Sequence, residues 1–145
     1  MRLFAIVLLL AGLGAGLAGA YLAYRQLSTK VVAIEAAAQL QPDGQGADCG
    51  EVRFTVDART LGRWLLPVHE QQTIAGTATV DGSKSEDIGF RIWSPMNRLV
   101  YNQPERRHVQ EFNIVAPVSG DYTFEFDNRH SAFAKKTIVL SVCVS

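Results

Sequence analysis

The strongest constraint on this chain is the succession of short runs after Cys49 in which Val, Ile, Thr, Phe and Tyr alternate with polar residues and stop at turn formers. A period of two sends neighbouring side chains to opposite faces of an extended strand, so the pattern is that of an all-β domain. Eight runs qualify, at residues 52–57, 63–68, 73–80, 87–93, 99–102, 109–115, 121–127 and 137–144. Asp81-Gly82-Ser83 and Ser119-Gly120-Asp121 tolerate positive φ, and Pro95 and Pro104 cannot donate to a sheet ladder, so the runs read as separate strands. Such spacing predicts a two-sheet antiparallel β-sandwich of about eight strands, jelly-roll-like. Tyr122, Phe124 and Phe126 share one strand face, and Ile138, Leu140, Val142 and Val144 share another. These faces are the predicted core. Val139 and Cys143 make the last strand apolar on its other side too, which places it centrally or under cover.

The first two dozen residues have a different character. Residues 3–24 form an uncharged run of 22, and as a helix rising about 1.5 Å per residue it spans the roughly 30 Å hydrocarbon layer. The competing reading is a secretory signal peptide, with Arg2, a leucine run and Ala18-Gly19-Ala20 as charged region, apolar region and cleavage site. Tyr21, Leu22, Ala23 and Tyr24 continue the apolar stretch past that site and put tyrosines where an interfacial belt lies, which favours a transmembrane anchor. Arg2 and the α-amino group face Arg25 and Lys30, so charge gives no orientation. The expectation is a single-pass membrane protein with an extracytoplasmic C-terminal domain, or a secreted or periplasmic one if the segment is cleaved. Gly12 and Gly16 form a small-x-x-x-small pair of the kind found in homo-oligomeric helix contacts, although glycine is also common in membrane helices with no partner. Residues 31–41 are rich in helix formers and predict a helical stalk, which Pro42-Asp43-Gly44-Gln45-Gly46 ends. The chain thus divides into an anchor or signal at 1–24, a helical stalk and linker at 25–48, and a sandwich at 49–145.

With 145 residues there is room for one hydrophobic core. The 14 basic and 14 acidic side chains balance, without the cationic excess of a nucleic-acid binder. His69, His108 and His130 lack zinc-ligand spacing. The run Asp81-x-Ser83-x-Ser85-x-Asp87 departs from a calcium loop, because Glu86 and Ile92 stand where glycine and a bidentate glutamate belong. No nucleophile elbow or phosphate-cradling glycine loop is written in the chain, so the reading is a non-enzyme with no metal and no cofactor. Cys49 and Cys143 bracket the β region and meet if the terminal strands are neighbours. They are then a disulfide in an oxidising compartment, or two buried free thiols.

Asp87-Ile88-Gly89-Phe90-Arg91-Ile92, followed some thirty residues later by Ser119-Gly120-Asp121-Tyr122-Thr123-Phe124-Glu125-Phe126-Asp127-Asn128, resembles the GOLD (Golgi dynamics) domain. Ser131, Lys136 and Ile138 follow at the spacing that family has after its Phe-(Asp/Ser)-Asn turn. The resemblance runs from about Val52 to the C-terminus and implies a β-sandwich that binds proteins or sits beside lipid-binding domains. The chain departs from the coated-vesicle cargo receptors of that family in two ways. Its membrane segment is N-terminal rather than C-terminal, and Glu125 stands where those receptors usually carry a cysteine.

Within the motif, Asp127 and Asn128 have a structural reading, since Asx side chains hydrogen-bond nearby backbone in a loop leaving a strand. The loop that follows carries Arg129, His130, Phe133, Lys135 and Lys136, the candidate binding residues, as a lip for a protein partner or an anionic lipid headgroup. Two functions follow. One is a membrane-tethered extracytoplasmic protein-binding or adaptor module; the other is a structural subunit of a membrane complex assembled through its N-terminal helix.

Overall fold

The computed structural model describes residues 30–82 and 87–145. The uncharged run, Gly12 and Gly16 lie outside these residues. Ten strands are described: β1 (Lys30–Ala33), β2 (Gln41–Pro42), β3 (Asp48–Val56), β4 (Thr60–Val68), β5 (Thr73–Asp81), β6 (Ile88–Trp93), β7 (Leu99–Arg107), β8 (Val109–Val115), β9 (Gly120–Asp127) and β10 (Lys136–Val144). They form two five-stranded sheets, β1-β4-β9-β6-β7 and β2-β3-β10-β5-β8. From β3 onward the antiparallel pairs are nested, β6 with β7, β5 with β8, β4 with β9 and β3 with β10, and successive pairs fall in alternate sheets. A long hairpin rolled up in this way is a jelly roll. All eight expected strands are present within it.

Alternation builds the core. Trp64, Leu66, Tyr122, Phe124, Phe126, Phe90 and Ile92 of one sheet face Val52, Phe54, Ile74, Ile138, Leu140 and Val142 of the other, all buried. Phe90 lies at the centre, its ring centroid 5.1 Å from Phe126, 5.5 Å from Phe112 and 5.6 Å from Tyr101. Gly120 has φ +138°, and a Cβ there would lie 2.7 Å from Pro95 Cγ, so the turn into β9 admits only glycine without strain.

The helical stalk expected over residues 31–41 is not formed. Residues 30–33 are strand β1, which pairs in parallel with the start of β4, so the sandwich is not wholly antiparallel. Residues 34–40 then run extended, with Ile34, Ala36, Ala38 and Leu40 turned inward against the core. Trp64 donates its indole N–H to the Ala36 carbonyl at 2.7 Å, and Ile34 N–H bonds Arg63 O at 2.8 Å. Good intrinsic helix formers are overridden because an extended segment satisfies a buried tryptophan and covers the open side of the sandwich. Pro104 lies inside β7, which is tolerated because β7 is an edge strand.

Cys49 and Cys143 are directly opposite in the β3–β10 register and form a disulfide across 94 residues of chain. A loop of that length stabilises by about 4–5 kcal/mol in the chain-entropy model. The topology also defines two ends. At one, β1 and β4 begin while β3, β5 and β9 stop, and the 57–59 and 128–135 connections meet. At the other lie Trp93, Leu99 and Gly120, three residues on strand ends or turns.

Candidate functional site

The loop 128–135 is held at the first end by several hydrogen bonds. Asn128 is fully buried and its amide Nδ2 donates to the carbonyls of Val56, Asp57 and Ala134 at 3.0–3.1 Å. Ser131 Oγ donates to Ala134 O at 2.8 Å and accepts from Ala134 N–H at 3.0 Å. Arg59 N–H reaches the carbonyls of both Asn128 and Ser131 at 3.1 Å. This scaffold holds Phe133 outward with 93% of its surface exposed.

The other lip residues separate. Arg129 wraps onto Asp127, with Nε 2.9 Å and NH2 2.6 Å from its carboxylate oxygens. Burial works against ionising Asp127, but hydrogen bonds from the Arg129 guanidinium and backbone N–H outweigh it and hold the carboxyl below its ordinary range. His130 Nε2 lies 3.0 Å from Asp87 Oδ1. Lys135 is exposed beside Phe133. Lys136 does not belong to the lip, because as the first residue of β10, opposite Val56, it is buried. A cleft of about 430 Å³ opens next to the loop between Arg91, Gln103, Arg106, Asp127, Arg129 and His130. Its guanidiniums are engaged with carboxylates, Arg91 with Glu125 at 3.1 Å and Arg106 with Asp87 at 3.5 Å.

Two features of the outer face of the β1-β4-β9-β6-β7 sheet were not singled out from sequence. In one row, Glu125 of β9 lies between Arg63 of β4 and Arg91 of β6, at 3.0 and 3.1 Å. The carboxylate side chain is only 4% exposed, against 48% and 37% for the two arginines. The next row toward the second end reads Leu65, Thr123, Trp93, Leu99. Leu65 and Leu99 are 55% and 45% exposed, and Met96 in the adjoining turn is 59% exposed. The signal in the sequence was the continuous apolar run Trp64-Leu65-Leu66, which cannot place all three side chains inside a strand of period two. Among the described residues, no group of three or more His, Cys, Asp or Glu is gathered as metal ligands would be.

The described residues thus form a disulfide-closed jelly roll with an apolar row on one sheet and an exposed aromatic loop at one end. The chain belongs to the emp24/gp25L/p24 family/GOLD, whose profile matches residues 52–145. None of the curated proteins matches the sequence. Among solved structures it is similar to the PliG of Aeromonas hydrophila, a periplasmic inhibitor of g-type lysozyme, at 18% identity over 81% of this chain and 98% of that one, with a TM-score of 0.52. The pre-peptidase C-terminal domain of a Bacillus anthracis collagenase is similar at 12% identity over 79% of this chain and 94% of that one, with a TM-score of 0.49. The likeness to PliG is one of fold.

Proposed function

We propose that this chain is an extracytoplasmic protein-binding or adaptor module of GOLD type, tethered to a membrane by its uncharged N-terminal run. The observation that carries the reading is the row Leu65–Thr123–Trp93–Leu99, continued by Met96. An apolar centre bordered by the Arg63–Glu125–Arg91 row has the anatomy of a protein interface, where apolar anchors are desolvated and charges form the rim. The Cys49–Cys143 disulfide supports an oxidising, extracytoplasmic setting.

The test is recovery of partners from native membranes with the full chain and with a Leu65→Asp/Leu99→Asp variant, both positions being exposed and harmless to the core. Loss of a specific partner from the variant is expected, and an unchanged set would refute this surface. Because PliG is a lysozyme inhibitor, a purified g-type lysozyme belongs among the partners assayed directly. Exchanging residues 1–30 for an unrelated anchor separates the alternatives. A binding module keeps its partner, whereas a subunit assembled through its helix loses its complex.

A further inference from the structure

We propose that the end of the sandwich carrying loop 128–135 lies on the bilayer surface, with Phe133 set into the interface and Lys30, Arg59 and Lys135 at anionic headgroups; this rests on the tether reading above. The argument begins with where the chain enters the domain. Lys30 is the register partner of Thr60, and Thr60 O accepts the Asn128 N–H at 3.0 Å, so the entry point and the start of the loop adjoin. Between Tyr24, the end of the uncharged run, and Lys30 there are five residues. Six Cα steps reach at most about 20 Å. A span ending at Tyr24 therefore keeps the entry point at this end of the sandwich close to the headgroups.

The surface chemistry agrees with that placement. Phe133 is 93% exposed, and its loop is pinned by the buried Asn128 amide and by Ser131, so the ring is presented without an ordering cost at the moment of contact. An aromatic ring suits the boundary between headgroups and acyl chains, while neighbouring cations remain at the phosphates. Lys30, Arg59 and Lys135 are exposed around it. Among the described residues the acids at this end are Asp57, which is exposed, Asp81, which pairs with Arg53, Asp87, which meets Arg106 and His130, and Asp127, which is bound to Arg129. Basic side chains near an anionic surface are each attracted to it, so among the described residues Lys30, Arg59 and Lys135 outweigh Asp57, the other acids of this end being paired. The apolar row with Leu65, Leu99 and Met96 then points away from the membrane, where a protein can reach it.

The full chain is reconstituted in phosphatidylcholine vesicles with and without phosphatidylserine, as wild type and as the Phe133→Trp and Met96→Trp variants. Flotation after alkaline extraction reads the tether alone. Lipid brominated near the head of its acyl chains then reads contact, with the wild-type emission of Trp64 and Trp93 as background. The expected result is loss of the added emission in Phe133→Trp, more marked with phosphatidylserine and weakened by Lys135→Gln, and none in Met96→Trp. A chain that floats but is unquenched at position 133 overturns the bilayer proposal and leaves the anchor standing. Equal quenching at both positions also overturns it, because the domain then has no preferred end. A chain that fails to float removes the tether reading, and the proposal with it.

Discussion

Glu125 is the residue whose stability role is best worked from geometry. Its side chain is 4% exposed, on the central strand β9, with one arginine from each neighbouring strand 3.0 and 3.1 Å away. Those arginines are 48% and 37% exposed and are rehydrated if the carboxylate is removed, whereas the carboxylate stays covered if methionine stems replace the guanidiniums. Glu125→Gln therefore costs only about 1 kcal/mol, the scale of a screened pair plus a weakened hydrogen bond. Either Arg63→Met or Arg91→Met leaves one guanidinium in place and costs about 1–2 kcal/mol, since methionine keeps the aliphatic packing. The double variant leaves an uncompensated buried charge and costs about 3–5 kcal/mol, more than the two singles together if each falls at the low end. Adding Glu125→Leu to the double variant restores most of the loss, because an apolar triad needs no charge partner. Urea melts of a fragment of residues 30–145, followed by tryptophan fluorescence, provide the measurement. A double variant within about 1 kcal/mol of wild type, or a triple variant no more stable than the double, would refute the buried-charge reasoning.

Phe126 and Phe133 lie on either side of one loop and should behave oppositely. Phe126→Ala removes a fully buried ring packed on Phe54 and Phe90 and lowers stability by about 3–5 kcal/mol, while Phe133→Ala stays within about 0.5 kcal/mol; the reverse ranking in denaturant melts refutes the inside–outside assignment. A fragment beginning at Asp48 should be at least about 2 kcal/mol less stable than one beginning at Lys30, because Trp64 loses its acceptor at Ala36 and the cover of Ile34 and Leu40; equal melts would show the segment to be dispensable. Asp127 has a folded pKa below its unfolded value of about 3.8, so its contribution is present above that value and is lost as pH falls through the folded one. Its solvent-screened contribution is about 0.2–1 kcal/mol. Asp127→Asn should thus lower stability slightly at neutral pH and flatten the acid limb of the stability profile, and an unchanged acid limb would contradict the Asp127–Arg129 coupling.

Sequence alone was enough for the class of fold and the inner faces of its strands, because period-two alternation and turn residues are local properties. Tyr122, Phe124, Phe126, Ile138, Leu140 and Val142 are buried for the reason their spacing implies. The motif ending in Asp127-Asn128 pointed to the family for the same reason: a turn, a serine and a lysine at fixed spacing are written along one stretch of chain. Strand partners are not. Residues 34–40 read as helix from their composition and became extended cover because the core, distant in sequence, takes up Ile34, Ala36, Ala38 and Leu40 and Trp64 bonds the Ala36 carbonyl. Lys136 read as part of a basic lip and is buried because β10 begins there, opposite Val56. Glu125 acquired Arg63 and Arg91 from strands 62 and 34 residues away. The placement of Lys30 beside the Phe133 loop depends likewise on β1 pairing in parallel with β4. These pairings turn on which segments meet when the sheets close, and that is settled by burying the whole apolar surface at once rather than by any local stretch of chain.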